Sequence, residues 1–194
     1  MILRPDFYEP TTVDRAVERV RLGLRADWPT GLVLFGGEGS KAMLRIVEQL
    51  DRCGVDLQLI LICGRNKALA AKLRSRKTRI PMLIEGFTTQ IPYYMRLGDF
   101  FIGKPGPGSI SEALQMNLPV IVERNLRTLP QERFNAEWVK QAGTGLVVPS
   151  FAHIAAAVRS LLTPATFARL RANAAALENR AAFEIPEILA KLVQ

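Results

Sequence analysis

Short runs of β-branched and other apolar residues alternate along the chain with longer segments of helical period. This alternation is typical of successive strand–helix units around a parallel sheet. Several runs are apolar at consecutive positions, as expected for strands that helices cover on both faces. The predicted strands are Leu32–Phe35, Leu57–Cys63, Met82–Glu85, Phe100–Gly103, Val120–Glu123 and Leu146–Val148. The pattern therefore predicts an α/β fold with a parallel sheet of about six strands and helices on both faces.

One helix is predicted before the first strand and three after the last. The first has an apolar face: Val13, Ala16, Val17, Val20 and Leu24. The motif Thr11-x-x-Asp14 predicts a capped start for this helix. The closing helices are predicted over His153–Leu162, Phe167–Leu177 and Pro186–Val193. Residues 1–10 contain two prolines and no periodicity. They are predicted to be a linker from a preceding domain, and residues 11–194 to form one ligand-binding domain.

Length and composition are those of a single globular domain. A chain of 194 residues that is 48% hydrophobic has enough apolar material for one sizeable core. Apolar runs such as Leu59–Cys63 are far shorter than the ~20 residues of a membrane helix. The first residues reach proline and charge too early for a signal peptide. We therefore expect a cytoplasmic protein.

The net charge of +8 comes almost entirely from one stretch of the chain. Between Leu57 and Ile84 there are no acidic residues and seven basic ones, here named the basic cluster: Arg65, Lys67, Lys72, Arg74, Arg76, Lys77 and Arg79. A solvated helix face is the ordinary explanation, and contact with anionic lipid on the inner face of a membrane is the alternative. No aromatic residues are interleaved with these charges, so no nucleic-acid partner is expected.

The first predicted strand runs into the glycine-rich turn Phe35-Gly36-Gly37-Glu38-Gly39-Ser40, which a helical segment follows. Such a turn predicts a phosphate site, although compact packing also explains glycines there. Gly37-x-Gly39-x-x-Ala42 also fits a relaxed dinucleotide fingerprint, so an NAD(P) oxidoreductase is the competing hypothesis. That fingerprint requires an acid after the second strand, where this chain has Arg65. NAD is therefore disfavoured, and Arg65 would suit only NADP.

A second glycine-rich turn, Gly103-Lys104-Pro105-Gly106-Pro107-Gly108-Ser109, follows the fourth strand and opens a helix that contains Glu112. Phosphate-type turns after an early and a late strand predict a diphosphate held from two sides. Ser109-x-x-Glu112 is also a capping box, which would need no ligand. Both roles remain open for these two residues, and the ligand role is harder to combine with capping for Glu112.

Five motifs occur in an order that resembles the C-terminal domain of the monogalactosyldiacylglycerol synthase-like glycosyltransferases of family 28. They are Phe35-Gly36-Gly37-Glu38-Gly39, Ile62-Cys63-Gly64-Arg65-Asn66-Lys67, Glu85-Gly86-Phe87-Thr88, Lys104-x-Gly106-Pro107-Gly108-Ser109-x-x-Glu112-Ala113 and Gln131-Glu132-x-x-Asn135. The resemblance covers nearly the whole chain. It implies the C-terminal half of a GT-B fold, in which two Rossmann-like domains face each other across a cleft.

The resemblance also implies a site for a UDP-sugar, with UDP-galactose, UDP-glucose and UDP-GlcNAc as candidates. The implied binding residues are Gly36, Gly37, Glu38, Gly39, Arg65, Gly86, Phe87, Gly106, Gly108, Ser109, Glu112, Gln131, Glu132 and Asn135. Within this set, Gly86 and Phe87 would lie beside the uracil and Glu112 would bind the ribose. Gly108 and Ser109 would meet the diphosphate, and the Gln131–Asn135 segment would face the sugar.

The implied reaction is inverting transfer of a hexose to a lipid acceptor such as diacylglycerol, with no cofactor or tightly bound metal. In such enzymes an N-terminal domain supplies the general base and the lipid surface. Neither is assigned in this chain, so a preceding acceptor domain or a partner chain is expected. His153, the single histidine, is expected on a surface helix with a solvent role. A non-catalytic nucleotide-sugar-binding subunit is the remaining alternative.

Overall fold

The computed structural model describes residues 1–10 and 13–192, and six strands run through the centre of this part of the chain. The strands are β1 Thr30–Leu34, β2 Gln58–Ile62, β3 Met82–Glu85, β4 Phe100–Gly103, β5 Val120–Glu123 and β6 Gly145–Val148. They form one sheet in the order β3-β2-β1-β4-β5-β6, and every neighbouring pair is parallel. The predicted parallel sheet is confirmed, with each strand within two residues of its predicted bounds.

Helices cover both faces of the sheet in the described ranges. They are α1 Arg15–Arg21, α2 Ala42–Asp51, α3 Lys67–Arg74, α4 Ile91–Leu97, α5 Pro107–Gln115, α6 Pro130–Gln141, α7 Ile154–Leu161, α8 Pro164–Ala175 and α9 Ala181–Leu192. Short 3₁₀ turns lie at Pro5–Phe7 and Phe151–His153. The three helices predicted after β6 are present. The last begins at Ala181, before the predicted Pro186, because the Asn179 side chain accepts a hydrogen bond from the Ala181 N–H.

The sheet separates two hydrophobic clusters. Val33 of β1 packs in the cluster that contains Met43 of α2, whereas Leu32 and Leu34 pack in the one that contains Ile110 of α5. Successive side chains of a strand point to opposite faces. Both faces are covered, so consecutive positions must be apolar, which explains the unbroken runs in the sequence.

The predicted apolar face of α1 is wrong for its two central valines, although Leu24, which follows the helix, is buried in the core as predicted. Val17 and Val20 are about 60% exposed, and the buried side chain is Arg19. The Arg19 guanidinium donates to the carbonyl oxygen of Leu97 and to the Asp99 carboxylate, each at 2.7 Å. These bonds tie α1 to the start of β4 through a buried cation. Asp14 caps α1 by accepting from the Ala16 N–H at 2.8 Å, and Thr11 of the predicted motif lies outside the described residues.

Residues 1–10 contact the body of the protein. Leu3 and Phe7 are buried in the cluster that contains α5. Arg96 of α4 donates to the carbonyl oxygens of Asp6 and Glu9, at 2.9 and 2.7 Å. The segment predicted as a linker is therefore fastened along its length to the same core as the sheet.

Candidate functional site

The site lies where the strand order reverses. β1 and β4 are neighbours, and the chain builds outward from them to β3 on one side and to β6 on the other. In open parallel sheets the crevice at the carboxyl ends of such a strand pair is the usual ligand site. The first glycine-rich turn follows β1 and the second follows β4, so the topology brings both predicted turns to one crevice.

The first turn packs directly against the loop after β2. The Arg65 N–H donates to the Gly37 carbonyl oxygen at 2.7 Å. A Cβ at Gly39 would lie 2.5 Å from the Cys63 carbonyl oxygen, and both Gly39 and Gly64 have positive φ angles. Packing therefore explains both glycines. For Gly39, this is the alternative to a phosphate site that the sequence left open. Because α2 begins only at Ala42, the turn does not directly open a helix.

A cavity of about 390 Å³ opens between the two turns; we name it the inner cavity. The predicted site residues that line it are Gly36, Gly37, Phe87, Gly106, Gly108, Ser109, Glu112 and Glu132. Its apolar floor comes from Leu34 of β1, Ile62 of β2 and Ile91 of α4. Most of the predicted set is thus brought together from four separate segments of the chain.

The N-terminus of α5 faces the inner cavity. Gly106 is the N-cap and Pro107 the first helical residue. The first N–H groups of a helix have no partner within it, so those of Gly108 and Ser109 are available to an anion. A Cβ at Gly108 would meet no atom within 4 Å, so packing does not require glycine there. This is the arrangement expected for close approach of a phosphate to the backbone.

The capping-box interpretation of Ser109 and Glu112 is wrong. The helix starts at Pro107, so both residues lie inside α5 rather than at its boundary. The Ser109 hydroxyl instead donates to the Gly106 carbonyl oxygen at 3.3 Å. Proline favours the first position of a helix, and that signal was present in the sequence.

Glu112 is half-buried in the wall of the inner cavity. Its carboxylate has no hydrogen bond or ion pair within the described residues. Burial raises the pKa of Glu112, and the charge of Arg4 opposes the shift. Partial burial of a carboxylate without a hydrogen bond costs stability. Glu112 is therefore poised to accept hydrogen bonds from a ligand.

Phe87 stands at the mouth of the inner cavity with 55% of its surface exposed. The Arg65 guanidinium carbon lies 4.4 Å from the centre of its ring. Arg65 also pairs with Glu38 at 3.2 Å, which holds the guanidinium over the aromatic face. Arg65 and Gly86 line a separate side cavity of about 520 Å³ with Phe87. Glu38 itself is exposed and lines neither cavity.

The segment Gln131–Asn135 forms the first turns of α6. Glu132 is buried and pairs with Lys104 at 3.2 Å. The Asn135 amide donates to the Pro105 carbonyl oxygen at 2.9 Å, so it holds the second glycine-rich turn in place. Gln131 is exposed and lines neither the inner cavity nor the larger one beside it.

Lys104 lies at the site but is not among the binding residues predicted from the sequence. It lines the inner cavity and also an adjacent outer cavity of about 860 Å³, and Glu132 is the other residue common to both. The outer cavity is bounded by the start of α2, the β5–α6 loop and Phe151. The signal available in the sequence was that Lys104 is the one basic residue in the two glycine-rich, phosphate-type turns.

His153 lies apart from this site. It is exposed, its Nδ1 is 3.3 Å from the Ser150 carbonyl oxygen, and it lines a different cavity beside β6 and α7. Among the described residues there is no cluster of side chains suited to hold a metal ion, and no helix long and apolar enough to cross a membrane.

The sheet order and the helices on both faces define one half of the GT-B glycosyltransferase fold. MurG from Acinetobacter baumannii matches 93% of this chain and 54% of its own, with a TM-score of 0.70 and 16% identity. HepE from Anabaena, solved in complex with UDP-glucose, matches 96% of this chain and 55% of its own, with a TM-score of 0.67 and 18% identity. The predicted fold class is confirmed.

Within that class, residues 31–188 match the glycosyltransferase family 28 C-terminal domain, and the chain belongs to this family. Monogalactosyldiacylglycerol synthase 3 of Arabidopsis thaliana, chloroplastic, is 36% identical over 76% of this chain and 33% of its own. The corresponding synthase of Spinacia oleracea is 34% identical over 84% of this chain and 32% of its own. The chain thus spans about a third of the length of these relatives. The resemblance drawn from the five motifs is confirmed.

Proposed function

We propose that this chain is the donor-binding domain of a glycosyltransferase and that the inner cavity holds a UDP-sugar. Glu112 carries the proposal, because its half-buried carboxylate has no hydrogen bond or ion pair within the described residues. Ribose hydroxyls beside Glu112 would supply the missing hydrogen bonds. The diphosphate then meets the N–H groups of Gly108 and Ser109 at the positive end of α5.

The positions of the uracil and the sugar follow from this placement of the ribose and the diphosphate. The uracil lies against Phe87, whose exposed ring offers a stacking face at the cavity mouth. Lys104, held at 3.2 Å from Glu132, places a positive charge between the two cavities, where the diphosphate ends and the sugar begins. The family and the HepE complex with UDP-glucose support a UDP-sugar over NADP. UDP-galactose, UDP-glucose and UDP-GlcNAc remain the candidates.

The acceptor in this proposal is a lipid such as diacylglycerol, supported by the names of the relatives, which are monogalactosyldiacylglycerol synthases. The acceptor hydroxyl oxygen attacks the anomeric carbon from the face opposite the diphosphate. The bond from that carbon to the diphosphate oxygen breaks, UDP leaves with the electron pair, and the configuration inverts. The hydroxyl proton passes to a base on an acceptor domain or partner chain.

This chain is proposed to work at a membrane surface. All seven side chains of the basic cluster are exposed, as an electrostatic contact with anionic lipid requires. Three of them also make side-chain hydrogen bonds within the protein: Arg65 donates to the Glu38 carboxylate, Arg74 to the Ile84 carbonyl oxygen and Arg79 to that of Asp51. Solvation of the same face explains the exposure equally well, so vesicle binding must decide.

Calorimetric titration of the 194-residue chain tests the donor assignment. We expect heat from UDP and UDP-sugars, and none from NADP at the same concentration. Binding of NADP with no heat from UDP would overturn the proposal. Binding of UDP without transfer, even when an acceptor domain is supplied, would instead support a non-catalytic nucleotide-sugar-binding subunit.

A further inference from the structure

The loop between β5 and α6, residues 124–129, exposes large apolar side chains beside the outer cavity. Leu126 is 92% exposed and Leu129 is 51% exposed. Phe134, on the first turns of α6, is 74% exposed. Both leucines line the outer cavity. Three exposed large apolar side chains thus lie within nine residues of the chain, and clustered exposed apolar residues mark interaction surfaces.

Side-chain hydrogen bonds hold the backbone of this loop. Arg133 donates to the carbonyl oxygens of Leu126 and Thr128, at 2.8 and 2.9 Å. The Asn125 carboxamide oxygen accepts from the Arg127 N–H at 2.8 Å, and its amide donates to the Pro149 carbonyl oxygen at 3.2 Å. These bonds hold Leu126 outward. They also satisfy polar backbone groups that would otherwise lose water on entering an apolar phase.

Positive charge surrounds this apolar tip. Arg124 and Arg127 lie on the loop itself, and Lys41 and Arg45 line the opposite wall of the outer cavity; all four are exposed. Arg124 pairs with Glu137, whereas Arg127, Lys41 and Arg45 have no ion pair within the described residues. Exposed leucines that share a cavity with three cations lacking an ion pair fit a bilayer that contains anionic lipid.

We propose that the β5–α6 loop is a membrane-contact element. Leu126, Leu129 and Phe134 enter the headgroup region, and the cations around the loop contact anionic headgroups. Membrane contact by this loop does not depend on the proposed function. Only one consequence of the contact rests on that function. That consequence is that the outer cavity opens onto the bilayer, from which a lipid acceptor reaches the sugar.

The basic cluster offers a weaker anchor than this loop. In the described chain, no large apolar side chain between Arg65 and Arg79 is exposed, since Leu69 and Leu73 are buried. Contact through the cluster would be electrostatic alone and would be screened by salt. Contact through the loop adds apolar insertion, which persists when salt is raised. The two surfaces therefore predict different behaviour.

Cosedimentation with vesicles tests the proposal on the 194-residue chain. The vesicles contain phosphatidylcholine alone, or phosphatidylcholine and phosphatidylglycerol in equal parts. We expect binding to the mixed vesicles, and the pair Leu126→Ser and Leu129→Ser to weaken it about tenfold or more, the loss for two side chains that are partly buried. Arg127→Gln should weaken it about fivefold, the contribution of one cation near an anionic surface.

The matched control is the pair Val17→Ser and Val20→Ser, which removes exposed apolar surface of similar extent from α1. It should bind the mixed vesicles like the unchanged chain. Melting temperature and UDP affinity are measured on every variant, so that misfolding or failure of the proposed function is seen separately. The proposal is overturned if the loop pair binds vesicles as tightly as the unchanged chain, or if the chain binds neither vesicle. Loss of binding only on neutralising the basic cluster would also overturn it.

Discussion

Substitution of Glu112 is expected to affect ligand binding and stability differently. A charge-assisted hydrogen bond contributes about 1.5–3 kcal/mol, so Glu112→Gln should weaken UDP-glucose binding about 10- to 100-fold. Burial raises the pKa of this carboxyl in the folded protein. Its contribution to stability is therefore greatest below its unfolded pKa and is lost as the pH rises through the folded value. At neutral pH the neutral glutamine should keep or raise the melting temperature.

The control for this prediction is Glu187→Gln, an exposed carboxylate on α9, which should change neither affinity nor melting temperature. Unchanged UDP-glucose affinity with a lowered melting temperature would mean that Glu112 is a structural residue. Acid titration adds a further check. Affinity of the unchanged chain should fall as Glu112 becomes protonated, and that component should be absent in Glu112→Gln.

Lys104 and Glu132 are predicted to act as a pair at the junction of the two cavities. Lys104→Gln should weaken UDP binding because the diphosphate loses a cation, and it should lower the melting temperature because buried Glu132 loses its partner. Glu132→Gln keeps the cation and should affect UDP less. A double-mutant cycle on the free protein should give a coupling of about 0.5–3 kcal/mol. Additive effects on stability would show that the 3.2 Å contact contributes nothing.

At the scale of elements, the N-terminus of α5 is predicted to be shaped for a ligand rather than for packing. A Cβ at Gly108 meets no protein atom within 4 Å. Gly108→Ala should therefore stabilise the helix by up to ~1 kcal/mol, yet weaken UDP about tenfold or more if the methyl group occupies the phosphate position. Ser111→Ala, on the same helix but outside the inner cavity, is the control and should leave UDP affinity unchanged. An unaltered UDP affinity in Gly108→Ala would show that the diphosphate does not bind at the N-terminus of α5.

The error in α1 shows what periodicity can and cannot predict. The valines have helical spacing, and a helix does form, but its buried residue is an arginine whose partners, Leu97 and Asp99, are about 80 residues away in sequence. Arg19→Met should destabilise the fold by about 3–5 kcal/mol, the cost of breaking a buried charged network. Val17→Ser should change the unfolding free energy by less than about 0.5 kcal/mol. Chemical denaturation of both variants checks this prediction. A similar loss of unfolding free energy in the two variants would support the apolar face predicted from the sequence.

The strands could be predicted because each is buried on both faces, which leaves an unbroken apolar run in the sequence. The gathering of the glycine-rich turns could be predicted as well, because the carboxyl ends of parallel strands share one edge. The pairing of Lys104 with Glu132 and the bond from Asn135 to Pro105 could not, since they join different loops across the crevice. The family motifs located these residues, and only the structure showed which of them the fold already uses.

For the whole molecule, we predict that the chain binds a UDP-sugar but does not transfer the sugar by itself. Direct displacement needs the acceptor oxygen, its base and the anomeric carbon held together, and this positioning can supply ~7–11 kcal/mol of the barrier. Within the described residues, Glu132 of the inner cavity pairs with Lys104, and Glu123 of the outer cavity accepts from the Phe151 N–H. Glu112 has no such partner but is proposed to bind the ribose, so none of these three carboxylates is left to act as the base. The check is incubation of the chain with radiolabelled UDP-galactose, UDP-glucose or UDP-GlcNAc and diacylglycerol vesicles. Addition of an acceptor domain from a relative should produce glycolipid, whereas steady glycolipid formation by the chain alone would place both acceptor site and base within these 194 residues.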